Sequence, residues 1–455
     1  MTLRSHRLGA GLALLLAASL SGCAVYHARP LATAPDLAVT PQRLTMDPAK
    51  LRVAPLKSIV IDASDGLSPV EVAVLTVLNS PDLAAKRRAA KVREAQVFAA
   101  GLLPDPQLSV SMDKPVSGPD TQTAHSYNLS LDLSALLAAT YARRAARQSA
   151  RQADLDLLWA EWTDAQQARQ LAETVLANEA RAGVLRKVVA LAEDRYVRSD
   201  RALQHRDVTL QTNAADLAAK VDAETQLRTV EHDAQKARRD LNALLGLRAD
   251  VILPLVPAPP SDGYDETAVA QALATLPDRR PDLLALKAGY AAQDATVRKA
   301  ILAQFPLNNI AAAYAKDPAG TTTQGLALTL ALPIFNGGRG EVRVQNATRE
   351  QLHAEYQARL DQTDAEVRGA ERERAGARRA VAQLSADVPK LEKLVQPALA
   401  AYDRGDLDSQ TYLTLSQNVL FKRADLDDKS LAARLANIAL ETSLFLPPAE
   451  SRSAP

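Results

Sequence analysis

The 455-residue sequence has one cysteine, three methionines and six histidines, and only 4% of its residues are aromatic. A single cysteine excludes a disulfide within the chain. The scattered histidines and few methionines offer no relay of soft ligands for copper or silver ions. Scarce aromatics beside abundant Ala and Leu are typical of helices that pack closely along their length.

The sequence also lacks the short motifs of common enzymes and nucleic-acid-binding proteins. It contains no H-E-x-x-H pair, no phosphate-binding Gly-Lys loop and no nucleophile elbow. The acidic pair Asp427-Asp428 stands among mixed charges and is interpreted as a solvated helix face. Lysine and arginine number 54 against 53 acidic residues, without a basic block, which gives no support for nucleic-acid binding. We therefore predict a protein that is not an enzyme and needs no cofactor or metal.

The N-terminal residues predict an exported, lipid-anchored protein. Two arginines precede an apolar run over residues 8–20, which is typical of a secretory signal peptide covering residues 1–22. The run ends in Leu20-Ser21-Gly22-Cys23, which resembles a bacterial lipobox, so Cys23 is the predicted lipid-attachment site. Ala24 resembles the signal for sorting to the outer membrane. No later window has the roughly 18 unbroken apolar residues of a membrane helix, so any spanning segment would have to be β.

Two long stretches have the three-four spacing of apolar residues that packs helices lengthwise. One predicts a helix from about residue 341 to 402, on the order of 90 Å long. The other predicts a helix over 139–199 with a return helix over 206–245. The sequence therefore predicts two copies of one structural unit. The return helix has apolar seam positions that recur at the same spacing. They are Leu227, Val230, Ala234, Ala237, Leu241 and Leu244.

Two pairs of alternating segments precede the long helices and predict strands with one apolar and one polar face. The segments cover residues 107–113, 127–133, 308–315 and 326–332. Each approaches the 9 to 11 residues of a tilted membrane strand, although a soluble hairpin fits as well.

The repeat and the punctuating prolines divide the chain into six parts. They are the signal peptide (1–22), an extended N-terminal segment (23–66), a first repeat (67–247), a linker or equatorial segment (248–275), a second repeat (276–446) and a disordered tail (447–455).

Three motifs in this order resemble the outer-membrane factor family of Gram-negative bacteria, the TolC-like efflux ducts, in its lipoprotein type. Residues 276–283 are similar to the family's "RPDL" opening, and Tyr402 through Gly405 to its "YxxG" hairpin tip. Residues 332–338 are similar to its "PlFxGG" exit from strand to helix. The residues of this strand-to-helix turn are Pro333, Gly337 and Gly338.

The resemblance implies a fold that is mainly α with β, a duplicated helix-strand-strand-long helical hairpin. Three identical chains would share a twelve-stranded outer-membrane β-barrel and a periplasmic α-helical barrel. The implied partners are a periplasmic adaptor (membrane fusion) protein, an inner-membrane pump and outer-membrane lipid. The implied function is passive conduction of small molecules out of a tripartite efflux pump. A type I secretion exit channel and a structural coiled-coil envelope lipoprotein without a channel remain as alternatives.

In the family, charges near the hairpin tips hold the tunnel mouth shut, and the turns meet the adaptor. We align Tyr196-Val197-Arg198-Ser199-Asp200 with Tyr402-Asp403-Arg404-Gly405-Asp406 as the two tips. Charges at such turns can also be plain solvated or capping groups. The residues predicted to shape the aperture and the docking surface are Tyr196, Arg198, Asp200, Tyr402, Arg404, Gly405, Asp406 and Asp408.

The sequence departs from the family in three places. Leu407, Thr411 and Thr414 stand where relatives carry a basic residue and then an acidic selectivity ring. The first repeat lacks the Gly-Gly exit. Pro389 and Pro397 lie inside the second long helix, which they are predicted to bend or interrupt.

Overall fold

A computed structural model describes residues 26–47, 51–119, 122–259, 263–305 and 307–449. The predicted signal peptide and the predicted lipid-attachment site, Cys23, lie outside these residues. The chain divides into two compact units, one ending at Leu37 and one beginning at Ala38. The helices and strands described below belong to the second unit.

The second unit repeats one arrangement of helices and strands, which confirms the predicted fold class. The first copy consists of α1 (Pro69–Asn79), α2 (Pro81–Gly101), β1 (Gln107–Asp113), β2 (Ala124–Asp132), α3 (Leu133–Gln204) and α4 (Leu210–Leu245). A short helix that the sequence did not predict, α5 (Glu266–Thr275), lies in the linker. The second copy consists of α6 (Pro281–Leu302), β3 (Leu307–Lys316), β4 (Thr322–Leu330), α7 (Arg339–Asp403) and α8 (Ser409–Leu444).

Capping residues fix where the first two helices begin. Ser68 and Glu71 form a capping box, in which the Glu71 N–H donates to Ser68 Oγ and the Ser68 N–H donates to Glu71 Oε2 at 2.8 Å. Ser80 accepts a backbone hydrogen bond at the start of α2. Pro81 follows it in the first turn, where a backbone N–H has no acceptor within the helix, so its absence costs no hydrogen bond.

The two long helices extend further than predicted. α3 has 72 residues and α7 has 65, which correspond to about 110 Å and about 100 Å. α3 begins at Leu133 because the Asp132 side chain caps it, accepting a backbone hydrogen bond of 2.9 Å. α7 continues through both Pro389 and Pro397, so the prolines do not interrupt it.

The predicted heptad seams are the faces along which α3 and α4 pack. Val175, Ala182 and Leu185 of α3 are at most 2% exposed, and Ala234 and Leu241 of α4 are at most 6% exposed. Small Ala side chains at alternate seam positions allow the helix backbones to approach closely. Among the described residues, no helix is apolar over a length that would cross a membrane.

The main core lies around Trp162, midway along α3. Its indole N–H donates to the Thr442 carbonyl at 3.1 Å, and its ring meets the Phe445 ring edge-on at a centroid distance of 5.3 Å. The segment before α1 contributes the fully buried Val53 and Leu56 to this cluster. Residues 51–59 of the predicted extended segment therefore pack on the core of the second unit and contact both copies.

The linker and the chain's C-terminal residues also pack on the second copy. The hydroxyl of Tyr264, just before α5, donates to the Pro447 carbonyl at 2.8 Å. The Ala449 N–H donates to Glu441 Oε1 at 2.9 Å. Residues 447–449, which the sequence assigned to a disordered tail, are therefore hydrogen-bonded to the body.

The four strands form one antiparallel sheet in the order β1-β2-β3-β4. The central pair, β2 and β3, joins the two copies, and its register places Tyr127 opposite Tyr314. Leu129 lies opposite Leu108 on β1, and Ile310 lies opposite Leu328 on β4. Apolar residues therefore face apolar residues across all three ladders.

Candidate functional site

The sheet has one apolar face that the rest of the described chain leaves uncovered. The strand register places ten exposed large apolar side chains on this face, and each is between 41% and 83% exposed. A patch of this extent on one face marks a binding or membrane surface. The ten residues are Leu108, Val110, Met112, Tyr127, Leu129, Ile310, Tyr314, Leu326, Leu328 and Leu330.

The opposite face of the sheet carries small and polar side chains. Because neighbouring residues of a strand point to opposite faces, every residue between two apolar positions lies here. No long or charged residue occupies a central position on this face. Its small polar side chains are suited to contact with water. Its members include Ser109, Ser111, Ser126, Asn128, Ser130, Ala313, Thr323, Ala327 and Thr329.

Both edges of the sheet are open in the described chain. β1 and β4 each pair with one neighbour, so the outer side of each strand presents backbone N–H and C=O groups without a ladder partner. In a hydrocarbon environment each unsatisfied group costs several kcal/mol. An apolar face and two open edges on one sheet are compatible with a bilayer only if further strands complete the ladder.

The chain passes from β4 into α7 through the residues of the predicted strand-to-helix turn. Gly337 and Gly338 have φ of 57° and 67°, in the left-handed region, and Gly338 is the N-cap of α7. The Gln304 side chain donates to the Gly337 carbonyl at 2.8 Å. A Cβ on Gly338 would lie 3.2 Å from Gln304 Cγ, a tight contact that would require the Gln304 side chain to shift by a few tenths of an ångström. Pro333 lies three residues beyond Leu330, the last residue of β4.

The two hairpin turns have the same backbone hydrogen bonds. After α7, Gly405 has φ of 78° and its N–H donates to the Tyr402 carbonyl at 2.9 Å. After α3, Arg206 has φ of 66° and its N–H donates to the Leu203 carbonyl, also at 2.9 Å. Thr209 caps α4 as Asp408 caps α8. Arg206 is therefore the counterpart of Gly405.

The predicted location of the first turn is wrong. Tyr196, Arg198 and Asp200 lie inside α3, and the counterpart of Tyr402 is Leu203, one heptad beyond Tyr196. A heptad pattern looks the same when it is shifted by seven residues, so the seam could not fix the position of the turn. The glycine that marks the second turn is replaced by Arg206, which removed the remaining signal.

Several of the predicted tip residues have local roles. Arg404 and Asp406 pair with each other at 2.8 Å within the second turn, and both side chains are more than 60% exposed. Asp408 caps α8, where hydrogen bonds from the Thr411 hydroxyl and N–H lower the pKa of its carboxyl group. Asp200 accepts a hydrogen bond from Gln204, one turn along α3. These contacts agree with the capping and solvated interpretation.

Arg198 and Tyr402 join the two hairpins. Arg198 Nη1 donates to the Tyr402 hydroxyl at 2.9 Å, and its Nε donates to Asp194 at the same distance. The Tyr402 ring stacks on Tyr412 of α8, with an interplanar angle of 10°. Tyr196 stays within the first hairpin, where the Lys220 ammonium lies 5.5 Å from its ring centroid.

A buried carboxylate that the sequence analysis missed forms a second link between the hairpins. Asp216 of α4 is fully buried, and its Oδ1 accepts hydrogen bonds from Arg195 Nε at 2.6 Å and from Gln410 Nε2 at 3.1 Å. Arg195 also donates to the Thr414 hydroxyl at 3.0 Å. One carboxylate therefore holds α3, α4 and α8 together.

The sequence did contain a signal for this link. The apolar seam of α4, followed back from Val230 by heptads, reaches Ala223 and then Asp216. A polar residue at a seam position commonly specifies register and pairing rather than stability. Asp216 was missed because the predicted seam began at Leu227.

The acidic pair Asp427-Asp428 lies where α8 packs near α3, which corrects its interpretation as a solvated face. Asp428 accepts a hydrogen bond from Arg181 at 3.2 Å, and burial raises the pKa of Asp427. Within the described ranges, no group of three or more His, Cys, Asp or Glu side chains converges to hold a metal ion.

No protein-family model matches the sequence, and no curated protein matches it. Solved structures match its fold. The chain is similar to CusC, which forms a transmembrane channel, with a TM-score of 0.68 and 16% identity over 90% of this chain and 99% of CusC. It is similar to the CmeC outer membrane channel of Campylobacter jejuni, with a TM-score of 0.67 and 16% identity over 83% of this chain and 85% of CmeC.

The open state of the MtrE outer membrane channel of Neisseria gonorrhoeae also matches, with a TM-score of 0.64 and 14% identity over 83% of this chain and 88% of MtrE. The match extends over most of each chain. The chain therefore has the fold of outer-membrane channel proteins, as the three sequence motifs predicted.

Proposed function

We propose that this protein is the outer-membrane exit channel of a tripartite efflux pump. The main support for this proposal is the sheet. It has an exposed apolar face, an opposite face of small and polar side chains, and two open edges. Strands of up to 10 residues, such as β3, span about 33 Å, enough to cross the apolar core of a bilayer when tilted. The protein would act as a passive conduit and not as an enzyme.

Closure of the sheet requires further copies of the chain. β1 and β4 run in opposite directions, so β4 of one copy can pair with β1 of the next in the same antiparallel pattern. Three copies of the four-stranded sheet would give a closed barrel of about twelve strands, in which no edge faces lipid. The small polar face would line the lumen and the apolar face would contact lipid.

The two helical hairpins would continue this passage through the periplasm. Their turns would dock a periplasmic adaptor, which connects the channel to an inner-membrane pump. The aperture would be held by the two links between the hairpins, namely Arg198 with Tyr402 and Asp216 with Arg195 and Gln410. Tyr196, Asp200, Arg404, Gly405, Asp406 and Asp408 would shape the surrounding docking surface.

The proposed location is the outer membrane of a Gram-negative bacterium, with a lipid anchor on Cys23. The support for the anchor is the lipobox-like tetrapeptide after the apolar run. The lipid would hold the N-terminus at the membrane from which the helices extend into the periplasm.

Conductance of the purified protein tests the proposal. Planar bilayers that contain the protein should show stable single-channel currents, and the protein should migrate as a heat-resistant trimer. It should also stay in membranes washed with carbonate. Absence of any current together with release by carbonate would instead support a structural coiled-coil lipoprotein.

A further inference from the structure

Basic residues concentrate on the helix segments next to the sheet. The whole chain has a formal net charge of only +1, yet residues 133–153 at the start of α3 carry four arginines and no acidic residue. Residues 84–103 at the end of α2 carry five basic residues and one acidic residue, Glu94. α2 leads into β1 and α3 follows β2. The excess charge therefore lies on the helix segments that extend from one end of the sheet.

Three arginines of α3 share one face with the exposed Leu137. Arg144 and Arg151 follow Leu137 by one and two heptads, and Arg147 lies between them on the same face. Leu137 is 48% exposed, and the three arginine side chains are exposed as well. The face therefore changes from apolar to basic as α3 leaves the sheet.

The same change occurs on α2 and near the start of α7. On α2, the 73% exposed Phe98 lies one heptad from the exposed Lys91, with Arg88 one turn further from the sheet. After β4, Phe335 is 99% exposed, and the exposed Arg339 begins α7. The repetition on three separate elements makes a chance charge cluster a poor explanation.

These basic side chains have no acidic partner in the described chain. We name them the basic band. Several other surface arginines of this protein pair with a carboxylate, such as Arg186 with Glu231 and Arg368 with Asp364. No ion pair among the described residues involves any member of the band. The members are Arg88, Lys91, Arg144, Arg147, Arg151 and Arg339.

We propose that the basic band binds the phosphodiester headgroups of anionic phospholipids, in the leaflet on the helix side of the sheet. This inference rests on the proposed function, because it requires the apolar face to lie in a bilayer. Arg144 lies one heptad from Leu137, about 10 Å along the helix, which is slightly more than the depth of a headgroup layer, about 5–8 Å. Long arginine side chains reach across such a distance, with the stem in the apolar layer and the charge at the phosphates.

A lipid titration of the full-length trimer tests this inference. The variant Arg144→Gln/Arg147→Gln/Arg151→Gln removes three charges of the band. The control, Arg372→Gln/Arg379→Gln/Lys393→Gln, removes three exposed charges from the part of α7 far from the sheet. Heat dissociation of each trimer in neutral detergent is measured as phosphatidylglycerol or phosphatidylcholine is added.

Phosphatidylglycerol should stabilise the wild type and the control at lower concentration than phosphatidylcholine. The band variant should need about fivefold more phosphatidylglycerol for each charge removed, with an unchanged response to phosphatidylcholine. Equal responses of the variant and the wild type to phosphatidylglycerol would overturn the inference. So would a variant with an altered ion selectivity of its current but a normal lipid response, because its arginines would then line the passage.

The two proposals fail in different ways. Wild-type currents in pure phosphatidylcholine bilayers, without any preference for phosphatidylglycerol, would leave the channel intact and remove the lipid site. Absence of current in every bilayer would remove the channel itself.

Discussion

Replacing Asp216 by Asn is expected to loosen the two hairpins near their turns. The substitution keeps the size of the side chain but removes the charge that faces Arg195. It also places an amide where the carboxylate now accepts hydrogen bonds from Arg195 and Gln410. The affected contacts join α3, α4 and α8, so the substitution should destabilise both hairpins near their turns.

The magnitude follows from the burial of the pair. Removing one partner of a fully buried ion pair costs about 3–5 kcal/mol, because the other charge stays buried without compensation. The Asp216 side chain is 0% exposed and that of Arg195 is 15% exposed. Arg195 also keeps its bond to Thr414. We therefore expect the lower end of the range, about 3 kcal/mol.

Hydrogen exchange in the full-length protein measures this effect. Where exchange reports the local opening equilibrium, about 3 kcal/mol corresponds to roughly 100-fold faster exchange. The faster exchange should appear in peptides covering residues 190–204 and 410–420. Asp406→Asn is the matched control, because its pair with Arg404 is mostly exposed and should matter little.

Two results would refute the reasoning about Asp216. One is exchange in Asp216→Asn that matches the wild type or the Asp406→Asn control. The other is acceleration confined to α4, since the structure requires that α8 loosen as well. Single-channel currents of the same variant test the proposed aperture, which should open more often when this link is lost.

Three further predictions concern the turns and the anchor. Gly405→Ala should destabilise the second turn by about 1–2 kcal/mol because of its positive φ, whereas Arg206→Gly should stabilise the first; thermal midpoints check both. The Asp408 cap should persist at neutral pH and weaken only as the pH falls through its lowered pKa, since the ionised form accepts the bonds; exchange at Thr411 across an acid titration checks this. Cys23→Ser should abolish incorporation of labelled fatty acid, and persistent labelling would remove the lipobox interpretation.

The two-residue and seven-residue periods of apolar residues in the sequence determined the strands and the long helices. Alternation of polar and apolar residues predicted the four strands to within a few residues, because a strand must separate its two faces. Heptad spacing predicted the long helices and seam residues such as Ala234 and Leu241, because positions at this spacing meet the partner helix. The glycines at 337 and 338 located the strand-to-helix turn, since few other residues adopt a positive φ there.

The tertiary structure alone decided the features that depend on contacts between distant residues. The first turn lies one heptad beyond its predicted position, because a seven-residue repeat carries no information about its own phase. The Asp216 link requires Gln410, which is far away in sequence and approaches only when the hairpins pack. A sequence can state which faces are apolar, but its pattern does not state which distant side chains will meet. That is decided by how whole helices are placed against one another.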